Sequence, residues 1–110
     1  MVIIVMACNR KGTSFKLKKT PERYELVAAY PNRKTGEVEK YLTTVLGNGD
    51  SILFNANINT GKEVKLANGV VFYLRYNPGK LEMEMLLEKN NIAGHKYFDE
   101  MAKEVKKAIY

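Results

Sequence analysis

The side chains in this sequence best suited to chemistry are cations set among aromatic rings. Arg10 and Lys11 come first, then Lys16, Lys18, Lys19, Arg23 and Tyr24, then Tyr30, Arg33 and Lys34, and finally Lys40 and Tyr41. On a curved β surface such side chains can follow a phosphate backbone while the rings stack on bases, each stacked base contributing roughly 1–3 kcal/mol. Tyrosines at alternate strand positions also occur at the edge of a core, and lysines on a plainly solvated face. The charge distribution is compatible with both readings and leans toward the first. Residues 1–34 hold eight basic side chains against Glu22 and Glu25, while the rest of the chain is balanced, so the whole formal charge of +6 is N-terminal. That asymmetry is what a surface facing phosphates or another polyanion would have.

Other reactive residues are few. His95 is the only histidine and Cys8 the only cysteine, too few soft or borderline ligands for a metal site. Folding could bring Cys8 to His95 as a nucleophile and base. The simpler assignment makes Cys8 a small buried hydrophobe and His95 an exposed residue at a helix start. Glu82, Glu84 and Glu88 alternate with apolar residues and read as the wet side of a strand. Gly47-Asn48-Gly49-Asp50 lacks the lysine, hydroxyl and following helix of a phosphate loop, so it reads as a turn. No catalytic set, metal site or cofactor motif emerges, which points away from an enzyme.

The elements that carry these residues are mostly strands. Met1–Cys8 is apolar but far short of the roughly 20 residues that span a bilayer, and it reads as a buried first strand. Asn9–Thr13 is a basic turn; Phe15, Leu17 and Lys19 alternate with Lys16 and Lys18, and Tyr24, Leu26, Ala28 and Tyr30 with Arg23, Glu25 and Val27. Consecutive hairpins would return the basic loops 9–13 and 31–36 to one side of the sheet. From Val38 the β-branched and aromatic content predicts a strand to Leu46, then another over Ile52–Ile58 and a third around Val64 and Leu66. Asn68-Gly69 is a strong hairpin signal, since both central residues of a type I′ turn need positive φ. Val70–Tyr76, apolar at nearly every position, predicts a central strand covered on both faces. Leu81, Met83, Met85 and Leu87 recur every second residue, so periodicity overrides the helix-forming residue types of 80–88 and predicts a strand. Phe98, Met101, Ala102, Val105 and Ile109 form the apolar stripe of a C-terminal helix with Asn91 or Gly94 near its start.

The expectation is therefore one α+β domain over 1–110: an antiparallel β-meander of about seven or eight strands, curved or closed into a small barrel, with one C-terminal amphipathic helix packed on it. No internal repeat is visible. The element order resembles that of pleckstrin-homology-type domains, without the tryptophan typical of that family's helix, and the resemblance carries no residues over. The expected partner is nucleic acid, single-stranded and bound with little regard to sequence, and no membrane. The alternative is an acidic protein surface, occupied by a small binding module or inhibitor of the kind carried by phages and mobile elements. A lone thiol among five methionines fits a reducing cytoplasm.

Overall fold

In the computed structural model, the described residues are 4–10, 12–46, 61–66 and 68–110, with side chains described over 12–45, 61–66 and 68–110. The strands are β1 (Ile4–Arg10), β2 (Thr13–Lys19), β3 (Arg23–Ala29), β4 (Lys62–Lys65), β5 (Val71–Asn77) and β6 (Lys80–Leu86). Among the described residues the α-helices are α1 (Thr35–Leu46), between β3 and β4, and α2 (Ile92–Ile109) at the C-terminus. The strands form one antiparallel sheet in the order β1-β2-β3-β6-β5-β4. Among the described residues, each half of the molecule thus runs three strands and then a helix, and the halves meet where β3 pairs with β6.

This departs from a meander of seven or eight strands: six strands are present among the described residues, and the chain crosses from β3 at the centre to β4 at the far edge instead of stepping to a neighbour. The pleckstrin-homology-type order fails for the same reason, since a helix interrupts the strands. The predicted strand over Val38–Leu46 is part of α1. Val38, Tyr41, Leu42 and Val45 stand at i, i+3, i+4 and i+7; Val38 and Leu42 are fully buried, and Tyr41 and Val45 pack beside them. Of the β-branched residues that suggest a strand, Val38 and Val45 pack in or against the core and the threonines back-bond to the helix, Thr43 Oγ1 donating to the Glu39 carbonyl at 2.8 Å and Thr44 Oγ1 to that of Lys40 at 3.1 Å. The strand expected over Ile52–Ile58 and the turn at Gly47–Asp50 lie outside the described residues.

Where period-two alternation is strong, the strands form as expected. In β2 Phe15 and Leu17 are buried, in β3 Leu26 and Ala28, and in β6 Leu81, Met83 and Met85, while the residues between them are exposed or half-buried. A hairpin joins β4 to β5 where Asn68-Gly69 signals one, but Leu66 stands opposite Val70, its amide donating to the Val70 carbonyl at 2.8 Å, and the Gly69 amide donates to the Leu66 carbonyl at 2.9 Å, so the loop is one residue longer than a type I′ turn, with Gly69 at φ 89°. β5 differs from expectation. Phe72, Leu74 and Tyr76 are buried, but Tyr73 and Arg75 are exposed, so this strand is covered on one face only and the centre of the sheet is the β3–β6 pair. Tyrosine and arginine mimic a buried run in sequence because each carries a large apolar stem behind a polar tip.

Both helices lie on the same face of the sheet, against each other and against the core formed by the buried strand positions. α2 buries Phe98, Met101, Ala102, Val105 and Ile109, the stripe read from the sequence, and Asn91 caps it by accepting from the Gly94 amide at 2.8 Å. No helix among the described residues is long and apolar enough to cross a membrane.

Candidate functional site: the open face of the sheet

Among the described residues both helices lie on one side, and the opposite face of the sheet is built from the alternate strand positions. Register sets its rows. Lys18 stands opposite Glu25, Glu25 opposite Glu84, Glu84 opposite Tyr73 and Tyr73 opposite Glu63; the next row runs Lys16, Val27, Glu82 and Arg75. From β2 to β5 this is three strand spacings, about 14 Å. The carboxylates occupy the middle strands and are partly neutralised. Arg23 reaches Glu84 at 3.5 Å and Glu25 at 3.7 Å, Arg75 reaches Glu82 at 3.5 Å, and Lys80 reaches Glu82 at 3.2 Å. Lys16 and Lys18 have no ion pair among the described residues. Counting Lys16, Lys18, Arg23, Arg75 and Lys80 against Glu25, Glu82 and Glu84, this part of the face keeps a surplus of two positive charges.

Tyr73 is the most exposed aromatic of this face, at 51%. Its ring leans over Gly61, where an added Cβ would come within 2.8 Å of Cε1 and 3.3 Å of Cδ1. Gly61 therefore leaves room for the Cδ1–Cε1 edge of the ring while about half of Tyr73 stays exposed, and its φ of 86° independently favours glycine. Beside the ring lies an open depression of about 530 Å³ lined by Glu25, Val27, Tyr73, Arg75, Glu82 and Glu84. A smaller one, about 230 Å³, lies between Tyr73, Glu63, Glu84, Leu86 and Lys89. The ring stands between the two.

The residues singled out from the sequence fall in three places. Lys16, Lys18 and Arg23 are on the open face. The basic turns do return to one end of the sheet: β1 and β2 close there with Arg10 opposite Thr13, and the chain leaving β3 passes Tyr30, whose amide donates to the Gly79 carbonyl at 2.9 Å, into the turn holding Arg33 and Lys34. Lys80 adds a cation at that end. The side chain of Arg10 and the whole of Lys11 lie outside the described residues, as does the Cys8 side chain. The remaining residues are on the helix side. Lys19 pairs with Asp99 of α2 and stands 5.0 Å from the Tyr24 ring, which packs against His95 and Phe98. His95 is half-buried there. Lys40 is exposed on α1, and Tyr41 is half-buried between the helices.

Tyr24, Tyr30 and Tyr41 are therefore separated from the open face by the sheet. Tyr30 is 5% exposed, and its hydroxyl has no hydrogen-bond partner among the described residues. Tyr76, 3% exposed, donates to Glu39 Oε1 at 2.6 Å, tying β5 to α1. Burial pushes the phenols of Tyr30, Tyr41 and Tyr76 well above their ordinary range, and the Glu39 carboxylate pushes Tyr30 and Tyr76 further. All three stay protonated at neutral pH and cannot act as bases. Among the described residues no group of three or more His, Cys, Asp or Glu side chains could hold a metal ion. Tyr73 and Arg75 escape notice in the sequence because they lie within a run that reads as buried on both faces. Their alternation with Phe72, Leu74 and Tyr76 is the signal that could have found them. No protein-family model, curated protein or solved structure matches the chain.

Proposed function

We propose that the chain binds single-stranded nucleic acid on the open face of its sheet, without catalysis. The observation that carries this reading is the half-exposed Tyr73 ring beside Gly61, on a face that also presents Lys16, Lys18, Arg23 and Arg75. A base stacks on the ring, and the backbone runs across the strands toward the lysines of β2 and on to the basic end with Arg33, Lys34 and Lys80. A duplex buries the faces of its bases and offers the ring nothing to stack on, whereas an unpaired strand does. Relative to the residues singled out in the sequence, the site keeps Lys16, Lys18, Arg23, Arg33 and Lys34, gains Tyr73 and Arg75, and uses none of Tyr24, Tyr30 or Tyr41 for stacking.

Polarisation titrations of short labelled oligonucleotides test it. Binding should weaken steadily as salt rises, because neutralised phosphates release counterions. Tyr73→Ala should cost roughly 1–3 kcal/mol of binding free energy with little change in thermal midpoint. Gly61→Ala should weaken binding as well, since its methyl would lift the ring. Absence of binding at low salt, or indifference to Tyr73→Ala, would sink the proposal.

One feature favours a second reading. Glu25, Glu82 and Glu84 in the middle of the face make it a mosaic of both signs, and mosaics of this kind suit a protein surface of complementary pattern. A stoichiometric protein recovered with the chain after nuclease treatment, and lost with Lys16→Glu, would select that reading.

A further inference from the structure

The carboxylates on a face that binds polyanions call for a role, and their placement suggests one. Resting on the nucleic-acid reading above, we propose that the open face selects guanine for the position stacked on Tyr73, with Glu84 and Arg75 reading the two edges of the base. Glu84 is the direct cross-strand partner of Tyr73, so the side chains are anchored about 5 Å apart. Arg75 follows Tyr73 by two residues on the same strand and the same face, roughly 7 Å further on. A base lying on the ring therefore has a carboxylate along one edge and a guanidinium toward another.

Guanine is the base whose edges suit that pair. Its N1–H and N2–H₂ groups are adjacent donors that can engage both oxygens of a carboxylate, and its O6 and N7 are adjacent acceptors that an arginine binds in bidentate fashion. Cytosine and adenine each set one amino donor beside a ring-nitrogen acceptor, so a carboxylate gains one bond and meets one repulsion. Thymine and uracil flank their N3–H with two carbonyl oxygens, which a carboxylate repels. The existing pairs leave room for the exchange. Glu84 is held by Arg23 at 3.5 Å and Arg75 by Glu82 at 3.5 Å, both pairs on exposed side chains where such contacts contribute little. Glu63, the cross-strand partner on the other flank of Tyr73, is engaged by Lys89 at 3.1 Å. Arg23 and Glu82 remain to neutralise the groups they now face.

The probe is a short oligothymidine carrying a single central T, C, A, G or inosine, titrated by polarisation. The guanine strand should bind about tenfold more tightly than the all-thymine strand, a modest share of what a good bidentate contact discriminates. Inosine, which lacks the 2-amino group, should fall between them. Glu84→Gln should remove most of the guanine preference while leaving all-thymine binding equal or stronger, because a negative charge has gone. Equal affinity for the guanine and thymine strands, with Tyr73 still required, overturns the guanine assignment and leaves nucleic-acid binding standing. A guanine preference that survives Glu84→Gln unchanged overturns the role of Glu84. Failure of every strand to bind overturns both proposals.

Discussion

Replacing Phe98 by alanine is expected to lower the unfolding free energy by about 3–5 kcal/mol, a large part of the 5–15 kcal/mol that a domain of this size has. Phe98 is fully buried at the point where α2 meets the sheet, and its ring lies 6.1 Å from that of Tyr24 in a tilted arrangement. Truncation removes the apolar surface of the ring and leaves a cavity walled by strand residues that are fixed by ladder hydrogen bonds and cannot collapse into it. Chemical denaturation monitored by circular dichroism provides the measurement. The Lys103→Ala control, on the solvent side of the same helix with only a surface pair to Glu100, should change stability by no more than about 0.5 kcal/mol. A loss below about 1 kcal/mol for Phe98→Ala would mean that α2 does not close the core.

The largest effect on binding should come from reversing Lys16, Lys18 and Arg75 to glutamate together. These cations sit on both sides of the carboxylate rows, and two of them have no ion pair among the described residues, so reversal converts the face from a positive surplus to a strong negative one. Oligonucleotide affinity at low salt should fall by roughly a hundredfold or more. The dependence of log K on log salt should flatten by about 2, since each phosphate of a single strand that is no longer neutralised takes ~0.7 from the slope. The thermal midpoint should hardly move, because exposed charges contribute little to stability. Reversing Lys103 and Lys107 on α2 is the matched control. Their charge is offset by Glu100 and Glu104, at 3.4 Å each, on the helix side of the sheet. If the helix set abolishes binding and the open-face set does not, the nucleic acid lies across the helices.

How much of this can be read from residues alone varies with the strength of the period. β2, β3 and β6 are legible because their inward apolar residues recur at every second position, even though Val27 and Ala29 of β3 and Leu86 of β6 are apolar on the other face, and in β6 that alternation outweighs residue types that favour helix. α2 is legible from its stripe and from Asn91. α1 is not, because Val38–Leu46 satisfies both periods in part: the helical set Val38, Tyr41, Leu42 and Val45 competes with an alternating set, and threonines and valines tip the balance toward strand. Strand order is beyond reach, since the pairing of β3 with β6 is decided by which apolar faces meet under the helices, and no local signal encodes that. The candidate site is half visible. The cations of β2 and β3 follow from alternation, but which tyrosine is bare depends on which face the helices cover, and the helix-side rings Tyr24, Tyr30 and Tyr41 look no different in sequence from Tyr73.

The seam between β3 and β6 also bears on how the chain reaches this state. Ala29 stands opposite Lys80 and Arg23 opposite Leu86, so each rung joins positions about half the chain apart, whereas the β1–β2, β2–β3, β4–β5 and β5–β6 rungs close over short turns. Closing the seam carries the larger entropy cost, and the two three-stranded halves should form before it does. Until they join, each half has an open backbone edge at a strand with a buried apolar face, Leu26 and Ala28 on one side and Leu81, Met83 and Met85 on the other. An edge of that kind on one molecule can pair with the complementary half of another, which makes exchange between chains the characteristic error of this topology. Refolding from denaturant should therefore yield less monomer as concentration rises, with dimers that separate only on unfolding. A monomer yield independent of concentration would show that the seam closes before the halves are exposed.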